Sequence, residues 1–141
     1  MSSLENRAWL TLWSMCPPYL VYFAIQIWFP TLFPTFLGRI ACLAAVATVH
    51  AIAYLVGFGL IKWRERGEAL QEDERDRGID ARATRAAYFA LLTGMIVVGV
   101  YMPFTSRGWQ IANAALLVIV ISESMRHALI VFGYRQTRLA Y

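Results

Sequence analysis

Residues Ile121 to Leu129 read ISESMRHAL and set an acid, a guanidinium and an imidazole inside a run otherwise apolar enough to cross a membrane. Arg126 and His127 follow Glu123 by three and four positions, so on a helix all three project from roughly one side. His50 lies fourteen residues after Phe36 and Glu123 fourteen after Trp109, which gives them similar depth if helices begin at those aromatics. An ionisable group at mid-depth costs at least about 2.5 kcal/mol against lipid, so these four side chains are expected to face protein or a wet cavity. One reading is structural: Glu123 and Arg126 form an intrahelical ion pair, Arg126 and His127 lean toward the headgroups, and His50 donates to a backbone carbonyl. In another, Glu123 exchanges a proton or binds a cation, Arg126 holds it ionised, and His50 or His127 relays the proton. In a third, His50 and His127 ligate a haem between two helices, although the helical rise sets His127 about 6 Å deeper. No other cofactor and no metal are expected.

A backbone feature is expected at the same level. In SMCPPYL, Pro17 and Pro18 lack N–H groups, so the carbonyls of Trp13 and Ser14 lose their helical donors and a kink or opening is predicted. Freed carbonyls at membrane depth must be satisfied by protein or water, and this bend is expected near Glu123 and Arg126 if four helices form one bundle.

The elements that would position these groups follow from composition. Of 141 residues, 59% are hydrophobic and 14% aromatic, and the mean hydropathy is +0.50, beyond the apolar share of soluble domains. Four continuous apolar runs, Trp9 to Phe29, Phe36 to Ile61, Ala86 to Phe104 and Trp109 to Phe132, each have about the twenty residues that a helix needs to cross the hydrocarbon layer. They lack period-two alternation, and helices satisfy the backbone in lipid. The predicted fold is therefore all-α: a polytopic four-transmembrane-helix bundle forming a single membrane domain over residues 1–141. The first run has no small-residue cleavage site and reads as a retained helix.

Charge sets the orientation. With both termini in the cytoplasm the inner side carries Arg7, seven Lys or Arg between Lys62 and Arg85, Arg135 and Arg138, against Arg39 and Arg107 outside. The positive-inside rule then predicts N-in and C-in. The sequence pI of about 9.4 follows from that asymmetry, and without a basic recognition helix nucleic acid is not an expected partner. Cys16 and Cys42 differ by about 15 Å in predicted depth and should not pair. Trp9, Trp63, Trp109 and Tyr134 stand at predicted helix ends, where aromatic rings form interface belts. Ala86, Ala90 and Gly94 in the third run recur at spacing four. So do Ala41 with Ala45, Ala47 with Ala51 and Ala53 with Gly57 in the second. Both sets predict close helix approach, within one chain or in a homo-oligomer.

Between the second and third runs lies KWRERGEALQEDERDRGIDARATR, residues 62–85, with seven basic and seven acidic side chains. After Gly67 it can continue as a helix into the third run, supported by Asp73 with Arg77 and Glu72 with Arg75 and weakened at Gly78. Asp73, Asp76 and Asp80 fall on one face. That face reads either as a solvated, salt-bridged surface or as an interaction face for a cytoplasmic protein; interleaved arginines argue against a metal there.

The stretch EDERDRGIDARATRAAY, residues 72–88, entering an apolar helix, resembles a family of small prokaryotic membrane proteins with an Asp-Glu-Arg-rich juxtamembrane motif, often encoded beside helix-turn-helix regulators. The likeness extends over about residues 68–135 and includes FGYRQTR at the end of the fourth helix. It implies a bacterial or archaeal cytoplasmic membrane and carries no catalytic residues onto this chain. No nucleophile–base spacing, phosphate loop or metal-ligand spacing indicates an enzyme. The expectation is a non-catalytic interaction or regulatory module acting through the charged segment, the alternatives being a homo-oligomeric proton-linked transporter using Glu123 and a haem protein.

Overall fold

The computed structural model describes residues 3–64 and 74–139, with side chains as far as Gln136. It is all-helical among these residues: α1 spans Ser3–Trp28, α2 Phe36–Arg64, α3 Glu74–Ile96 and α4 Gly108–Leu139. All four elements, with α3 counted through Phe104, are long and apolar enough to cross a membrane. The chain is a small membrane protein of four candidate spanning helices. Its large hydrophobic side chains are mostly exposed, as lipid rather than water requires.

Local chemistry sets the helix ends. The Thr35 hydroxyl accepts the Gly38 N–H at 3.1 Å and caps α2, while Arg39 donates through Nε to the Phe33 carbonyl at 3.0 Å. At α4 the Gln110 side chain accepts the Arg107 N–H at 2.9 Å, half of a capping box. The end of α3 widens into a π-helical turn, Val97–Tyr101, and tightens into a 3-10 turn, Met102–Phe104. Pro103 explains the break, because it has no N–H for the Gly99 carbonyl and its ring crowds that turn.

The helices divide into two compact units, one of α3, α4 and the start of α1 through Ala8, the other of the rest of α1 with α2. In the second unit, α1 keeps its helical assignment through Pro17 and Pro18, so the opening expected there is not seen as a break. Ser14, whose carbonyl loses its donor to Pro18, is buried, and its hydroxyl donates to the Thr11 carbonyl at 3.2 Å. His50 meets the Tyr19 ring edge to face at 5.7 Å. Cys16 and Cys42 are not joined by a disulfide. None of the residues of α2 is buried.

Candidate functional site: a polar seam between α3 and α4

In the first unit α3 and α4 run antiparallel. Gly94 faces Val118, and a Cβ placed on the glycine would meet Val118 Cγ1 at 2.4 Å; Gly133 likewise faces Ile79, at 2.9 Å from its Cγ2. Ala83 and Ala87 are buried on α3, as are Ser122, Ile130 and Val131 on α4. Of Ala86, Ala90 and Gly94, Gly94 is thus in close contact with α4, and the buried alanines of α3 are Ala83 and Ala87.

The same face of α3 continues past the apolar run into the charged stretch, and there the contact turns polar. Asp80 accepts from Arg126 Nη2 at 3.0 Å, a tie in which both side chains keep about a third of their exposure (36% and 34%). One turn earlier, Asp76 accepts a hydrogen bond from the Tyr134 hydroxyl. The Arg75 guanidinium covers the Tyr134 ring at 5.8 Å, a cation–π contact. Asp76, Ile79, Asp80, Ala83 and Ala87 therefore form one helical stripe whose partner is α4.

Three expectations change with this arrangement. Arg126 pairs with Asp80 and not with Glu123; Asp80 lies six residues, about 9 Å of rise, outside the apolar run that begins at Ala86, where a charge loses less hydration. Asp76 and Asp80 are committed to α4, so they do not form an outward acidic face; Asp73, with Glu72 and Gly67, lies outside the described residues. Tyr134 is not an interface-belt residue, being buried at 5% exposure between the two helices. Trp63 is exposed at its helix end, as a belt residue should be.

Glu123 instead meets the residue one turn on, with Oε2 3.5 Å from His127 Nε2. Glu123 keeps 47% of its side-chain exposure and His127 only 15%. At 3.5 Å this is an ion pair when the imidazole is protonated, and it is long for a hydrogen bond. Arg126 Nε and His127 Nδ1 are buried and find no hydrogen-bond partner among the described residues. Ser124 returns its hydroxyl to the Val120 carbonyl at 2.7 Å. His50 belongs to the other unit, where it meets Tyr19. No three His, Cys, Asp or Glu side chains gather into a metal-binding group among the described residues.

Two features went unforeseen. Glu5 is buried at 2% exposure in the first turn of α1, a position where a carboxylate faces the helix dipole favourably. The other is the Asp80–Arg126 tie, for which the sequence did hold a signal. Folding α3 and α4 back on each other about Thr105 brings Asp80, 25 residues before it, near Arg126, 21 residues after it.

No protein-family model, no curated protein and no solved structure matches the chain. The residues of the seam carry the functional reading.

Proposed function

We propose that this small membrane protein acts without catalysis, as an interaction or regulatory module whose working surface is the charged extension of α3 just outside the membrane. It resides in a cytoplasmic membrane with both termini in the cytoplasm. The observation that carries the reading is that α3 continues without interruption from Glu74 into its apolar span, while Asp76 and Asp80 tie this extension to α4. A charged segment that served only as a linker between spans would need no such ties. Held in this way, the extension presents one defined face.

The test is a photo-reactive amino acid at Thr84 or Ala81, both exposed on the extension, with a control at Val56 on α2. The expected result is a discrete adduct at positions 81 and 84, reduced in D76A/D80A because the extension loses both hydrogen bonds to α4. Absence of any adduct specific to these positions would overturn the reading.

A second reading has an observation of its own. Glu123 faces His127 and leaves Arg126 to Asp80, so an acid and an imidazole stand side by side within a spanning helix. Proton exchange through this pair would link the protein to transport. Proton flux into liposomes that E123Q abolishes, with folding intact, would support it; flux equal to that of empty liposomes would dismiss it.

A further inference from the structure

The segment before the third span is neutral by count, and two of its carboxylates are engaged by α4. Among the described residues of the extension, Asp76 and Asp80 turn to α4 and Arg75 lies over Tyr134. Arg82 and Arg85 are exposed on the side away from that stripe. They are three positions apart and so share a face. One further turn along, Tyr88 and Phe89 are 58% and 59% exposed, with their rings 6.0 Å apart in an edge-on arrangement.

We propose that this face binds the headgroups of anionic phospholipids, the guanidiniums of Arg82 and Arg85 engaging phosphate while Tyr88 and Phe89 lie at the boundary with the acyl chains. The inference rests on reading the extension as the working surface, and it names the partner. Depth supports a lipid over a protein. Arg85 and Arg82 precede the apolar run at Ala86 by one and four residues, about 1.5 and 6 Å of rise. The headgroup layer on each side of the hydrocarbon is about 5–8 Å thick, so both guanidiniums fall inside it. Exposed aromatics one turn deeper are the side chains that settle at that boundary. Arginine offers phosphate a planar fork of donors, and juxtamembrane basic residues attract anionic leaflets. Asp76 and Asp80 bond to Tyr134 and Arg126 on the opposite side of the helix, so these two carboxylates do not pair with Arg82 or Arg85.

The experiment uses the full chain in vesicles of phosphatidylcholine alone or mixed with phosphatidylglycerol. The preference for spin-labelled phosphatidylglycerol over spin-labelled phosphatidylcholine is read from the immobilised lipid fraction. The unaltered chain should prefer phosphatidylglycerol, the more so at low salt. R82Q/R85Q should lower that preference by up to about fivefold per arginine, while R82K/R85K retains most of it. Both arginines lie off the α3–α4 contact, so the thermal midpoint in phosphatidylcholine should not move; if the double variant misfolds, R82Q and R85Q singly should each give a partial loss. No preference in the unaltered chain, or a preference untouched by these changes, overturns the proposal. Crosslinking at Thr84 separates the two levels: an adduct with a protein and no lipid preference sinks the lipid inference and leaves the working surface standing, whereas no adduct of any kind removes the surface itself.

Discussion

At the scale of single residues, the partner chosen by Arg126 decides what each charge near the end of α4 does. Its tie to Asp80 is one-third exposed, between a surface pair worth a few tenths of a kcal/mol and a buried one whose disruption costs several. A double-mutant cycle on Asp80→Asn and Arg126→Gln, read by reversible unfolding in micelles, should give a coupling of about 1 kcal/mol. The same cycle on Glu123→Gln and Arg126→Gln should give near zero. Larger coupling to Glu123 than to Asp80 would reverse the assignment. Tyr134→Phe keeps the ring under Arg75 and removes the hydroxyl that bonds to Asp76, so a loss of about 1 kcal/mol is expected, and a smaller one when Asp76 is already Ala.

At the scale of elements, glycines differ in tolerance according to whether a neighbouring helix lies against them. A methyl at Gly94 would meet Val118 Cγ1 and Cγ2, at 2.4 and 2.8 Å, on a β-branched side chain with little rotational freedom. Gly94→Ala should therefore destabilise by about 1–3 kcal/mol, and Val118→Ala should rescue it. Gly59 on α2 has nothing within 4 Å of an added Cβ, so Gly59→Ala should be neutral or stabilising by up to about 1 kcal/mol through helix propensity. Thermal midpoints of the two alanine variants in one detergent make the comparison; equal losses would mean that the close approach at Gly94 is not what holds the pair together.

At the scale of the whole molecule, the charge asymmetry predicts which side each connection faces. After Cys16 and Cys42 are replaced by Ala, a cysteine at Thr105 should react with an impermeant thiol reagent added to intact cells. One at Ala81 should react only after permeabilisation. The opposite pattern would invert the chain and move the α3 extension to the outer face. The exposed apolar surface of α2, with no buried residue along its length, is bearable in lipid and would be an aggregation hazard in water.

Four helices long and apolar enough to span a membrane, and a helical entry into α3 from Glu74, were legible in the sequence. Each depends on composition or on short spacings along the chain: about twenty apolar residues to cross the hydrocarbon, and charged side chains spaced so that a helix can carry them into the span. The spacing of Glu123, Arg126 and His127 likewise marked one side of a helix, but it offered Arg126 a near partner in Glu123 and could not weigh a carboxylate 46 positions away. Only the tertiary structure decided that pairing, the burial of Tyr134 and the inward turn of Asp76 and Asp80. The physical reason is that a helix presents every side chain on some face, while the register against a neighbouring helix selects which face loses its water. That register is set by close contacts such as Gly94 with Val118 and Gly133 with Ile79, and it brings Asp76 and Asp80 to α4 while Arg82 and Arg85 stay exposed.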